Sequence, residues 1–221
     1  MAEEKDYRNT QYCPMLDHVV EKKQILEEEI KTKYPRTRII YNKVHNRKGP
    51  YHKKFANIYN NKCAYCGALW GLLPVESFEV DHFLHEASFP PTTGGKADAG
   101  RMMNLVWSCI SSNRGKHGIM IESPYDQLLN VDTGGITDVF RREPDFSIRI
   151  RDTYQNDEFI QKFYKALHLN HEARRLDYLA LELEGKYQEE KNEERRQKLG
   201  EILSRLMKRR NCMVTVDEDV S

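Results

Sequence analysis

The last third of the chain constrains the fold most. From Asp157 to about Arg210 apolar residues recur at helical spacing: Phe159, Ile160, Phe163 and Leu167 form one stripe, and Leu176, Leu179, Leu183 and Tyr187 a second. Leu199, Ile202, Leu203 and Leu206 form a third. Such stripes either pack on a core or offer a partner surface. Helical signals recur at the other end. Leu16, Val19, Val20, Ile25 and Ile30 share roughly one face of a helix over 16–33, which Tyr34-Pro35 ends. Pro50 opens another, with Tyr51, Phe55, Ile58 and Tyr59 at helical spacing. The expected fold is therefore α+β and mostly helical.

Between these flanks the pattern changes. Asn60-Asn61 leads into C-A-Y-C-G, where the glycine suits a tight turn. From Leu69 to Phe83 the signals are short and strand-like, and Pro74 and Glu76 mark a hairpin between two runs. Residues 90–100 read as a loop. The apolar run M-M-N-L-V-W-S-C follows, and then S-S-N-R-G-K-H-G, rich in turn-formers and bases. Alternation on both sides of Pro144-Asp145 predicts a second hairpin over 137–151. The predicted organisation is an N-terminal helical arm (1–50), a central unit (51–125), a loop and β-hairpin (126–156), and a C-terminal helical region with an acidic tail at Asp217 to Asp219 (157–221). At 221 residues the chain suits one good-sized domain, or a small module inside helical arms.

A net charge of +1 does not announce a nucleic-acid partner, so the distribution of charge matters more. Bases dominate from Lys31 to Lys62 and recur around Arg141 and at Met207 to Arg210. Such stretches either track a phosphate backbone or are solvated surface. No apolar run is long enough for a membrane span, and M-A-E-E-K-D-Y-R-N-T has neither part of a signal peptide, so a cytoplasmic location is expected. Five cysteines without a secretory signal argue for metal ligation or burial rather than a disulfide framework.

The chemistry-bearing residues fall in the central unit. In order they are Cys63-x-x-Cys66, Glu79-Val-Asp81-His82, Asn104-Leu-Val, Cys109-x-x-Ser112-Asn113 and Lys116-His117. Each piece alone is weak. A C-x-x-C arises by chance, an Asp-His pair is more often a surface feature, and Asn104 could be a helix cap. Together, their order and spacing resemble the HNH endonuclease family, whose ββα-metal core runs C-x-x-C, D-H, N, C-x-x-C-N and a basic end. The resemblance covers Cys63 to His117 and neither helical flank.

The resemblance implies an endonuclease hydrolysing phosphodiester bonds of DNA, with RNA also open as substrate. That reaction needs an activated water, neutralised charge on the phosphate and a stabilised leaving oxygen. The resemblance makes His82 the general base, a role suited to a side chain that titrates near neutrality. It makes Asp81 and Asn113 ligands of a divalent metal, Mg²⁺ or Mn²⁺, with His117 as a further candidate, and Asn104 the residue that orients the His82 ring. Gly115 and Gly118 weaken the helix that would carry His117. Arg114 and Lys116 read as phosphate contacts. Adjacent strand residues point to opposite faces, so Asp81 and His82 are expected where the strand ends and turns. HNH chains with long helical flanks are also similar to nuclease subunits of Septu-type and retron-associated anti-phage systems, which work beside an ATPase partner. The alternative is the same fold binding nucleic acid as a scaffold, without catalysis.

Many members of that family pin the core with a structural zinc on four cysteines. Here Cys63, Cys66 and Cys109 stand in place and the fourth position is Ser112, whose hydroxyl stays protonated near neutral pH. Three explanations stand: a histidine, Cys13 or Cys212 completes the tetrahedron; three thiolates and water hold zinc weakly; or the cysteines are buried small hydrophobes. His85 lies outside the pattern and reads as a loop residue or substrate contact. His45, His52, His168 and His171 receive no chemistry, and Trp70 and Trp107 read as core aromatics.

Overall fold

The computed structural model describes residues 6–13, 15–69 and 73–213. Trp70 and the acidic tail lie outside them. Helices α1 (Val19–Lys33), α2 (Tyr41–Val44) and α3 (Pro50–Ile58) precede strand β1 (Phe78–His82). After α4 (Thr93–Ala99) comes strand β2 (Leu105–Cys109), which runs directly into α5 (Ile110–Lys116). Helices α6 (Tyr125–Leu128) and α7 (Gly135–Val139) lead to strands β3 (Phe140–Arg142) and β4 (Ile148–Ile150). Three helices close the described chain: α8 (Glu158–Ala166), α9 (Glu172–Glu189) and α10 (Glu193–Met213). The fold is α+β and mostly helical, with two small antiparallel sheets.

β1 and β2 pair antiparallel in a register running from Phe78 opposite Cys109 to His82 opposite Leu105. One hydrophobic cluster surrounds them, and it draws on every segment from Tyr7 to Leu169. Trp107, fully buried, stacks on Phe78 at 5.9 Å and meets the edge of His52 at 5.2 Å. Buried cations pin the flanks to this centre. Lys23 of α1 donates to the Leu105 carbonyl and to Asp132, both at 2.6 Å. Arg8 donates to the carbonyls of Ala64 and Val131. Such groups are tolerated in a core because every donor finds an acceptor.

Several sequence expectations need correction. The hairpin marked by Pro74 and Glu76 does not form among the described residues, because β1 takes its partner from 105–109, across α4. Residues 93–99 are helical rather than loop: Thr92 caps the turn by accepting from the Gly95 amide, and Gly95 fits because a Cβ there would strike the Pro90 carbonyl. The first strand expected of the second hairpin is cut to 140–142, since 135–139 form α7. The C-terminal region is helical, as expected, in three separate helices. It breaks between α8 and α9, where His168 has a positive φ, and again at residues 190–192. The Phe159-to-Leu167 stripe packs on the core, whereas the Leu199-to-Leu206 stripe lies half-buried to exposed.

Candidate active site and cysteine cluster

α5 follows β2 without a loop and folds back along β1. Its residues therefore meet those of the strand in sequence order. Ser112 stays near Cys109, the Asn113 Nδ2 donates to Glu79 at 2.8 Å, and Lys116 reaches Asp81. Glu79 and Asp81 are two apart on β1, which places both on the face that meets α5.

Asp81 is buried. Its Oδ2 accepts from the Tyr65 hydroxyl at 2.7 Å and lies 3.3 Å from the Lys116 ammonium. Burial pushes its pKa up to about 6, against the opposing pull of Lys116 and the Tyr65 hydrogen bond. Lys116 also donates to the carbonyls of His82 and Phe83, at 2.8 and 3.3 Å. The expected phosphate contact at Lys116 is thus replaced by an internal one, because the buried ammonium has three acceptors inside the protein. Arg114 remains exposed.

His82 is the last residue of β1, and the strand stays paired through it. Its ring lies on Tyr41 at 4.4 Å, and Tyr41 stacks in turn on His45 at 4.7 Å. The Nε2 atom is buried and has no hydrogen-bond partner, although the Glu86 carboxylate approaches to 3.4 Å. We read that approach as an ion pair that forms only when the ring is protonated, since the atoms are not aligned for a hydrogen bond. Burial depresses the His82 pKa, Lys116 and the neighbouring His85 and His45 depress it further, and Glu86 opposes them. The side-chain partners of Asp81 and His82 differ, as regular strand alternation requires. Burial raises the Tyr41 pKa, and Glu86, Glu79 and Asp81 add to the shift.

Asn104 does not touch the His82 ring. Its amide donates to the carbonyls of Leu84 and Ala99 and accepts from the Leu84 amide, so it clamps the backbone just after His82. The expected orienting role passes through the chain rather than through the ring. His117 also departs from expectation. α5 ends at Lys116, and the His117 ring meets His85 edge to face at 5.6 Å, so it does not share a helical face with Asn113. His85 meanwhile accepts from the Ala87 amide through Nδ1.

Glu79, Asp81 and Asn113 carry oxygen atoms of the kind a hard divalent cation takes, and Asn113 and Glu79 are joined directly by the 2.8 Å hydrogen bond. Asn113 gives its nitrogen to Glu79 and so keeps its oxygen for such a ligand. Sequence reasoning named Glu79 in the series without giving it a role, and it missed Tyr41 and Glu86. The period-two spacing of Glu79 with Asp81 was the available signal for such a role. Nothing local flags Tyr41, which reaches the site from a helix far ahead of the motif.

At the other end of the hairpin the sulfurs of Cys63, Cys66 and Cys109 lie within 4.8 Å of one another, all buried, an arrangement that could hold a metal ion. It is the only such group of histidine, cysteine and acidic side chains among the described residues. Neither Cys13 nor Cys212 joins it. Ser112 accepts from the Cys109 sulfur at 3.3 Å. No protein-family model, curated protein or solved structure matches this chain.

Proposed function

We propose that the chain is a metal-dependent endonuclease of the HNH type that hydrolyses phosphodiester bonds of DNA, with β1, β2 and α5 as its ββα-metal core. The observation that carries this reading is His82: a buried Nε2 without a hydrogen-bond partner, on a ring whose pKa burial depresses, next in the chain to Asp81. A buried polar atom without a partner in a folded protein calls for an explanation, and a reacting water supplies one.

His82 takes the proton from that water as the water's oxygen attacks phosphorus and the phosphodiester bond opens. Asp81 and Asn113, with Glu79 beside them, would hold a Mg²⁺ or Mn²⁺ ion. When bound, that ion supplies positive charge to the phosphate and the leaving oxygen. Asn104 fixes the backbone behind the base, and Tyr41 fixes the plane of its ring. Exposed Arg114 is available to the substrate backbone. An ATPase partner belongs to the same proposal.

A second reading has its own support. Lys116 stands 3.3 Å from Asp81 and supplies internally the charge that a metal would bring, as expected of a nucleic-acid-binding scaffold without catalysis. Nicking of supercoiled plasmid with Mg²⁺ or Mn²⁺ separates the two. The nuclease reading expects cleavage by the wild type and a loss of about 10²- to 10⁴-fold in His82→Ala with DNA binding retained. A wild type that cuts nothing with any divalent metal, alone or with its partner, leaves only the scaffold.

A further inference from the structure

Arg174 enters the cysteine cluster from α9, 65 residues beyond Cys109. Its Nη2 stands 3.9 Å from the Cys109 sulfur, 3.5 Å from the Ser112 hydroxyl and 3.2 Å from that of Ser111. The guanidinium is buried with Cys109 and Ser112, the two neighbours whose positions the family resemblance assigns to zinc, while Ser111 is exposed. A structural zinc asks for four donors at about 2.0–2.3 Å in a tetrahedron. Here the fourth donor is a hydroxyl already engaged by Cys109, and a dication among the sulfurs would face a buried guanidinium. The residues present do not fit a four-ligand zinc site.

The far side of Arg174 is looser, since its Nε and the facing Asp177 Oδ2 are buried without a hydrogen-bond partner. Its Nη1 lies 3.9 Å from Asp177, and Arg210 of α10 donates to the same carboxylate at 2.8 Å. Arg174 thus links Cys109 to Asp177, and Asp177 is held by Arg210, so the cluster is coupled to both of the last two helices. Burial alone would lower the pKa of Arg174, but Cys66, Cys109 and Asp177 hold it above the usual guanidinium value.

We infer that Arg174 is the resident cation of the cysteine cluster, replacing a structural metal and tying the central hairpin to α9 and α10. A metal on four cysteines would close the central unit on itself. The guanidinium makes the same stitch depend on docking of the C-terminal helices. This inference is independent of any nuclease activity.

Metal analysis of the full chain, purified from zinc-supplemented culture, tests it. The wild type is expected to carry less than about 0.1 zinc per chain and to keep its Tm in a strong chelator. Ser112→Cys combined with Arg174→Leu restores the fourth thiol and removes the guanidinium, and is expected to raise bound zinc about tenfold, toward one per chain. A wild type holding one chelator-resistant zinc overturns the inference. So does a folded double variant that takes up none, because the guanidinium is then not what excludes the metal. Should the double variant not fold, cobalt titration of the wild type decides. Thiolate-to-cobalt absorption at stoichiometric metal overturns the inference, and its absence supports it.

Discussion

The two ends of the β1–β2 hairpin each hold a buried cation, delivered by different routes. At the His82–Leu105 end Lys116 arrives on α5, which continues directly from β2, and meets a carboxylate and two backbone carbonyls. At the Phe78–Cys109 end Arg174 arrives from α9 and meets a sulfur and two hydroxyls. The first cation lies 34 and 33 residues along the chain from the carbonyls it meets, so that end is assembled within the central unit. The second is absent until the C-terminal helices dock. A flexible ammonium near one carboxylate can yield to a metal or a substrate, whereas a guanidinium fixed on both sides is a structural member.

Removing the remote cation should have the largest effect. Arg174→Met strips the charge from the cluster and leaves Asp177 with Arg210 alone. The expected loss is about 3–5 kcal/mol, on the order of 10 °C in Tm, with α9 and α10 becoming protease-sensitive. A loss below about 1 kcal/mol, with the helices still protected, would show that the two ends do not differ in this way.

Removing the local cation should cost less and depend on pH. In Lys116→Met, Asp81 loses the charge that opposes its raised pKa. The folded-state value lies above the unfolded one, so its stabilising contribution is complete below the unfolded value of about 3.9 and is lost as pH rises through about 6. The variant moves that loss to higher pH. Denaturant midpoints should show a deficit of about 3 kcal/mol at pH 8 and about half that at pH 5, where Asp81 is protonated in both proteins and only the carbonyl bonds are missing. An equal deficit at both pH values would mean that Lys116 does not act through Asp81.

This contrast also explains what the sequence could disclose. Cys63, Cys66, Cys109, Asp81, His82 and Asn113 could be singled out because their order and spacing resemble the HNH pattern, and the folded chain brings the three cysteines together and Asn113 to Glu79. So could the second hairpin, through the alternation around Pro144-Asp145. Arg174 was not legible: it sits in an ordinary helical stripe, and only tertiary docking gives it a sulfur for a neighbour. Tyr41 was hidden for the same reason. Lys116 was visible but misread, since a basic residue after an apolar run looks exposed until its acceptors are known. The loop over 90–100 was misread because three glycines and two prolines outweigh, in a local reading, a threonine cap that only the folded turn displays.

Gly115 joins the two ends, lying between Ser112 and Lys116 on α5. A Cβ there would lie 1.8 Å from the Ala166 carbonyl of α8 and 3.1 Å from the His168 ring. The glycine that weakens α5 as a helix is therefore what lets α8 pack against it. Gly115→Ala should push the helices apart at a cost of about 1–3 kcal/mol, and it should disturb both cation sites together. Amide exchange in α5 checks this. Faster exchange at only one end would show that the helix does not couple them.

The smallest effect concerns His52, which lies against the middle of the hairpin rather than at either end. Its Nδ1 donates to the Val44 carbonyl at 2.7 Å while the ring edge meets Trp107. Burial lowers its pKa below the ordinary value, and nearby Arg47 and His45 add to the shift. A depressed histidine means that the unfolded chain binds the proton more readily. Its stability contribution is therefore present above about 6.5 and drains away as pH falls through the folded-state value. His52→Gln keeps a donor for Val44 but cannot titrate. Between pH 7 and pH 5 the wild type should lose about 1 kcal/mol more stability than this variant. His82, depressed in the same direction, is present in both proteins and cancels in the comparison. Parallel stability curves over that range would place the acid sensitivity at the His82 end alone and remove the middle of the hairpin from the account.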